Sequence, residues 1–109
     1  MRKILSVFGC RPDAIKMAPL VKAIAESKKL KGVVCVTGQH RDMLDQVLDL
    51  FEVKPDYDLN VMRPNQDLFD ITMNILAGLK PVIAAEKPDA ILVHGDSSTA
   101  LAAGLAAFY

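Results

Sequence analysis

The sequence of 109 residues is poor in residue types that mark several common classes of protein. It has two cysteines and no tryptophan, and thirteen acidic residues balance thirteen basic ones. Cys10 and Cys35 are too few for a disulfide framework and lack metal-site spacing, so we interpret them as buried free thiols. The zero formal net charge argues against nucleic acid or an acidic membrane surface as a partner.

Long apolar runs and the common nucleotide-binding motifs are also missing. Stretches such as ALAAGLAAFY are too short to span a bilayer, and no signal cleavage site follows the first apolar run. We therefore expect a soluble protein of the cytoplasm. The lack of G-x-G-x-x-G after the first predicted strand argues against a usual dinucleotide fold, and the lack of G-x-x-x-x-G-K-[ST] excludes a P-loop. No cluster of metal ligands is visible.

Short apolar runs rich in branched residues predict the strands of a buried parallel sheet. Three strong runs cover 3–9, 32–38 and 90–96, and a weaker one covers 57–61. Between them lie segments with the apolar periodicity of helices. These predicted helices cover 19–29, 40–53, 67–87 and 97–109. We expect Pro19 in the first turn of the first helix and a kink at Pro81 in the third.

The predicted order βαβαβαβα is typical of an α/β fold with a three-layer αβα, Rossmann-like parallel sheet. At this length the chain is one domain at most, and it is short for an enzyme that encloses its substrate. Its last predicted helix is apolar almost all round and needs cover from further elements. We therefore expect residues 1–109 to be an incomplete domain, truncated from the front of a longer protein.

Charged and polar residues collect after the first and fourth predicted strands. The first strand leads into Gly9, Arg11 and Lys16, and the fourth leads into His94 and Asp96. Ligands of open parallel sheets bind beyond the carboxyl ends of the strands, near the point where the strand order reverses. If these two strands are neighbours, both loops flank one crevice.

The chemistry of this group suits an anionic ligand with hydroxyl groups, such as a nucleotide sugar. Arg11 and Lys16 match a phosphate, and Gly9 lets the backbone approach a ligand closely. Asp96 can act as a general base or bind a sugar hydroxyl, and His94 titrates in the useful range.

Some residues of this predicted site can also be explained by a structural role. Asp13 is best interpreted as an acid in the first turn of a helix, where the helix dipole favours it. Asp96 is explained about equally well as a helix cap. A single histidine at a strand end, such as His94, is more often a packing residue. Arg11 and Lys16 can instead pair with Asp13 or face solvent.

Four stretches in order also resemble a known family. VFGCRPDAIKMAPLVKA, VTGQHRDMLDQVLDLF, PDYDLNVM and KPDAILVHGDSSTALAAGLAAFY resemble the N-terminal domain of bacterial non-hydrolysing UDP-N-acetylglucosamine 2-epimerases, over essentially the whole chain. That family usually shows FGTRPEAIK, AQHR and HGDTTT at these places. The mild departures are Cys10, Asp13, Gly38, Ser97 and Ser98.

The resemblance implies a two-domain fold of the glycosyltransferase-B type, in which 1–109 is the incomplete N-terminal domain and the C-terminal nucleotide-binding domain is absent. It implies interconversion of UDP-N-acetylglucosamine and UDP-N-acetylmannosamine for cell-surface polysaccharides, by elimination and re-addition of UDP, without a cofactor or a metal. It also implies a homodimer, for which the helix at 67–87 is a candidate surface. Residues 1–109 alone are expected to be inactive.

The resemblance assigns roles to individual positions. Arg11 would contact the diphosphate, Lys16 would lie at the reacting sugar, and Asp96 would move protons. We group Gly9 and His94 with Arg11 as substrate-binding residues and treat Asp96 and Lys16 as catalytic.

A second, regulatory site for UDP-N-acetylglucosamine is implied at Gln39, His40 and Gln66, although Gly38 and Asp42 depart from the pattern there.

Two other functions fit the same sequence. A glycosyltransferase acting on sugar nucleotides shares the two-domain plan, and fold analogy does not separate it from an epimerase. The third hypothesis is a non-catalytic module that only binds a nucleotide or dimerises.

Overall fold

The computed structural model describes residues 2–9, 11–38, 41–62, 65–94 and 98–109. Strands and helices alternate along the chain, which confirms the predicted α/β class. The elements are β1 (Arg2–Phe8), α1 (Arg11–Glu26), β2 (Leu30–Val36), α2 (Arg41–Leu50), β3 (Tyr57–Asp58), α3 (Leu68–Glu86), β4 (Ala90–Leu92) and α4 (Ser98–Phe108).

The strands form one parallel sheet of four strands in the order β3-β2-β1-β4. The chain moves outward from β1 through β2 to β3, and it then returns to the other side of β1 for β4. In β1, Leu5 aligns with Val33 of β2 on one side and with Ile91 of β4 on the other. The strand order therefore reverses at β1, and β1 and β4 are neighbours, which is the condition that the predicted crevice requires.

Helices cover both faces of the sheet, and each face has its own apolar core. Alternate residues of a strand point to opposite faces. Leu5 and Val7 of β1 belong to the core that includes α3 and α4, whereas Phe8 belongs to the core that includes α1 and α2. The predicted three-layer αβα arrangement is confirmed.

The start of α1 differs from the prediction. The helix begins at Arg11, immediately after the exit of β1, and Pro19 lies in its interior. The prediction that Pro19 opens the helix is wrong, because Pro12 occupies the first turn, where a missing N–H costs nothing. Pro19 is exposed, so water can hydrate the carbonyl that loses its helical partner. This earlier start places the positive end of the α1 dipole at the edge where ligands bind.

Both ends of α3 have well-defined caps. Asp67 accepts a hydrogen bond from the backbone N–H of Asp70 at 2.9 Å, and the carboxylate of Asp70 accepts one from the N–H of Asp67 at 3.1 Å. This capping box satisfies donors that the first helical turn leaves without a partner. Lys87 closes the other end in a left-handed conformation, with φ of 47°.

By length and composition alone, α3 is apolar enough to cross a membrane. The expectation that every apolar stretch is too short for that purpose is therefore wrong for this helix. One of its faces, however, is part of the core: Ile71, Ile75, Leu79 and Val82 are buried. Core helices of soluble proteins pass the same test.

A polar network joins the outer strand β3 to α3 and β1. The hydroxyl of Tyr57 donates a hydrogen bond to the carboxylate of Glu86, and Lys3 lies 3.1 Å from the same carboxylate. The hydrogen bond from Tyr57 and the contact with Lys3 hold the pKa of Glu86 below its ordinary value. The same hydrogen bond raises the pKa of Tyr57, because it stabilises the protonated phenol.

The core beneath α3 predicts a clear contrast between two leucines of that helix. Leu79 is fully buried, whereas Leu68 is 69% exposed. Leu79→Ala should lower the free energy of unfolding by about 2–5 kcal/mol, since it removes buried carbon and leaves a cavity. Leu68→Ala is the matched control and, in the monomeric chain, should change it by less than about 0.5 kcal/mol. Urea unfolding measures both, and equal effects would contradict this placement of α3.

Candidate ligand site at the carboxyl edge of the sheet

Gly9 lies directly after β1, where the exit of β1, the exit of β2 and the start of α4 pack closely together. The hydroxyl oxygens of Thr37, after β2, and Thr99, in the first turn of α4, lie 3.0 Å apart and are buried. A Cβ at position 9 would lie 1.9 Å from Oγ1 of Thr37 and 2.8 Å from Oγ1 of Thr99. Position 9 therefore has room only for glycine.

Thr37 also ties the strand exits together through its backbone. Its N–H donates to the carbonyl of Phe8 at 3.0 Å, and its own carbonyl accepts from the N–H of Val61 at 2.8 Å. The ends of β1 and β2, the segment after β3 and the start of α4 are thus joined at one residue. Sequence reasoning missed this role of Thr37 and Thr99, although each stands at the end of a predicted strand or at the start of a predicted helix.

The cationic residues at the site both lie on α1. Arg11 is the first residue of the helix, and Lys16 is an exposed residue of its second turn. Positions five apart on an α-helix do not share a face. The helix therefore brings Arg11 and Lys16 to its N-terminal end, near the exit of β1, at positions that do not share a face.

The first turn of α1 and the segment after β4 are in contact. Nδ1 of His94 lies 3.4 Å from Oδ1 of Asp13. The side chain of Asp13 is only 7% exposed, while that of His94 is 40% exposed. Asp13 is in the first turn of α1, which confirms its predicted place, but its contact with His94 was not predicted.

Several predicted site residues lie outside the described part of the chain, namely Asp96, Gln39 and His40. Gln66, the remaining member of the predicted regulatory site, is half-buried just before α3. Within the described ranges, no group of His, Cys, Asp or Glu is arranged to hold a metal ion.

The thiol of Cys35 takes no part in this edge of the sheet. The residue is buried in the core beneath α3 and α4, as expected for a free thiol. Burial, with a smaller contribution from Asp58, raises the pKa of the thiol to about 12. A thiol in this state is not a nucleophile at neutral pH. Cys10 lies outside the described residues.

Comparison with known proteins identifies the family. The sequence model of a family described as UDP-N-acetylglucosamine 2-epimerase matches residues 22–109. The chain belongs to the UDP-N-acetylglucosamine 2-epimerase family. The family member from Escherichia coli K12 is 63% identical over 107 residues, which are 98% of this chain and 28% of that epimerase.

Solved epimerase structures share the fold. An epimerase from Neisseria meningitidis bound to UDP-GlcNAc superposes with a TM-score of 0.89 at 57% identity, over 98% of this chain and 29% of that one. A co-structure of S. aureus MnaA with UDP has a TM-score of 0.94 at 58% identity, over 100% of this chain and 28% of that one. The chain therefore corresponds to the N-terminal 28% to 29% of these epimerases.

The packing around Gly9 predicts opposite effects for two glycine-to-alanine changes. Gly9→Ala should destabilise the fold by about 1–3 kcal/mol, since the new methyl group collides with two buried hydroxyl groups. Gly104→Ala is the control, because a Cβ there meets nothing within 4 Å and the residue lies inside α4. It should stabilise the fold by up to about 1 kcal/mol. Thermal or urea unfolding measures both, and a neutral Gly9→Ala would refute the close approach.

Proposed function

We propose that this chain is the N-terminal part of an enzyme that interconverts UDP-N-acetylglucosamine and UDP-N-acetylmannosamine. The observation that carries the proposal is its 57% identity, over 98% of its length, to an epimerase structure bound to UDP-GlcNAc. The described geometry agrees with it, since Gly9, α1 and His94 surround the carboxyl edge where a nucleotide sugar binds in such sheets. No observation favours a glycosyltransferase over this activity.

The proposed reaction eliminates UDP from the sugar and adds it back after the configuration at C2 has inverted. UDP departs with negative charge that cations must stabilise, and the proton at C2 must be removed by a positioned base. We assign contact with the diphosphate to Arg11 and assign Lys16 to the reacting sugar, with the N-terminus of α1 adding favourable potential. Asp96, after β4, is our candidate for proton transfer.

We propose that residues 1–109 form one wall of a cleft between two Rossmann-like domains of the glycosyltransferase-B type. Support comes from the strand order, in which β1 and β4 are neighbours, and from the match to only 28% to 29% of the epimerase structures. Effective catalysis requires that the substrate be held between groups in a fixed orientation. Residues 1–109 by themselves should therefore give no turnover.

We also propose that the enzyme acts in the bacterial cytoplasm. We further propose a regulatory site for UDP-N-acetylglucosamine near Gln39, His40 and Gln66. Support for the regulatory site is limited to the position of Gln66, which immediately precedes the cap of α3.

Substitution in the complete enzyme tests the catalytic assignment. Asp96→Asn and Lys16→Met should each lower kcat by at least about 100-fold, as expected for proton transfer and charge stabilisation. Lys28→Met is the matched control, since Lys28 is exposed before β2, at the opposite edge of the sheet. Proton NMR in D2O follows both turnover and deuterium entry at C2.

Three results would contradict the proposal. Near-normal turnover by Asp96→Asn removes Asp96 from the catalytic residues. Turnover by residues 1–109 alone refutes the need for a second domain. Sugar transfer to an acceptor without deuterium at C2 identifies a glycosyltransferase.

We also propose that the complete enzyme is a homodimer through the outward face of α3. Phe69 and Met73 are four positions apart on that face and are 79% and 57% exposed, and Leu68, beside them in the first turn, is 69% exposed. Exposed apolar groups clustered on one helix are typical of an interface.

The double change Phe69→Asp and Met73→Asp should convert the dimer to a monomer, because it buries two charges in the interface. Leu50→Asp is the control, since Leu50 is 77% exposed on α2, at the other face of the sheet. Sedimentation equilibrium measures the mass. A double variant that remains dimeric would place the interface elsewhere.

A further inference from the structure

The contact between Asp13 and His94 combines a buried acid with a half-exposed imidazole. A carboxylate in the first turn of a helix gains only a small stabilisation from the helix dipole. Removing a charge from water costs more than that unless the charge finds partners. Asp13 is 5% exposed, so the helix dipole alone does not explain its burial. The imidazole of His94, after the neighbouring strand β4, is one partner of this carboxylate.

The geometry of the pair determines which nitrogen of His94 is available to a ligand. Nδ1 faces Oδ1 of Asp13 at 3.4 Å, at the long end of the range for a hydrogen bond. A carboxylate only accepts hydrogen bonds, so it favours the tautomer with the proton on Nδ1. The side chain is 40% exposed, and in this tautomer its other ring nitrogen, Nε2, is the unprotonated one.

An unprotonated Nε2 can form a hydrogen bond only with a group that donates a proton. It accepts a hydrogen bond from a hydroxyl or an amide N–H, whereas phosphate oxygens have no proton to offer it at neutral pH. The adjacent carboxylate of Asp13 also repels a phosphate. The cationic residues Arg11 and Lys16, on α1, remain the groups suited to the diphosphate.

We propose that Asp13 is a positioning residue that holds His94 with Nδ1 protonated, so that Nε2 accepts a hydrogen bond from a hydroxyl or amide N–H of the bound sugar. The identity of the sugar rests on the proposed function. The state of the imidazole does not, because it depends only on this chain.

The tautomer is measured by multiple-bond ¹H–¹⁵N NMR on the labelled chain of 109 residues. The chain has two histidines, and a His40→Gln variant assigns their signals. At a pH about two units above the ordinary imidazole pKa of about 6.5, His94 should carry its proton on Nδ1. In Asp13→Asn this preference should be lost, because the amide offers a donor as readily as an acceptor. Asp13→Glu should retain it.

A matched control separates this effect from the general loss of a helix-terminal charge. Asp70 occupies the third position of α3, as Asp13 does in α1. Asp70→Asn should leave the tautomer of His94 unchanged. A proton on Nε2 in the wild-type chain, a doubly protonated ring at that pH, or an unchanged tautomer in Asp13→Asn would each overturn the proposal.

Kinetics in the complete enzyme test the consequence for the sugar. Asp13→Asn should lower kcat/KM by about tenfold, the usual effect of one poorly satisfied buried polar group, and Asp13→Glu should restore it. An unchanged kcat/KM would refute the positioning role. A wild-type enzyme without epimerase activity would refute the proposed function, while the tautomer measurement would still decide the state of His94.

Discussion

The close approach of three elements at Gly9 is the constraint on which the candidate site depends. Because position 9 has no side chain, Thr37 and Thr99 can bring their hydroxyl groups within 3.0 Å of each other across the end of β1. Thr37 then holds the exits of β1 and the segment after β3 through its backbone. Any larger residue at position 9 would collide with both hydroxyl groups, so Thr37 and Thr99 would have to move apart. The glycine therefore acts through packing, which differs from the direct approach to a ligand that the sequence alone suggests.

Much of the fold follows from local patterns. The apolar runs predict all four strands, whereas the position of β1 beside β4 is a condition of the predicted site that only the observed strand order supplies. The helix at 67–87 is predicted almost to the residue, because Asp67 and Lys87 mark its ends chemically. The start of α1 is missed, since Pro19 carries the same signal as Pro12 and the apolar periodicity is clear only after it. Tertiary packing decides which of the two prolines lies in the first turn of α1.

The candidate site is less accessible to sequence reasoning than the fold. The sequence pattern groups the polar residues that follow β1 and β4 into one predicted site, and the contact of Asp13 with His94 agrees with this grouping. Pattern does not reveal that Asp13 is buried, because an acid in a first helical turn is usually exposed and needs no partner. Thr37 and Thr99 have no charge and no motif, so only the three-dimensional arrangement shows their role. The predicted roles of Arg11, Lys16 and Asp96 rest on family membership and chemistry.

The strand order also has a consequence for the time course of folding. β1 and β2 are joined by one helix, but β4 must return to β1 from far along the chain, and Lys3 and Asp89, which bond at this junction, are 86 residues apart. Closing so large a loop costs chain entropy before any contact offsets it, so pairing with β4 is expected late in folding. His94 reaches Asp13 only at that step. A ligand held between the two loops thus binds only the completed fold, and its concentration shifts the balance between folded and unfolded chains.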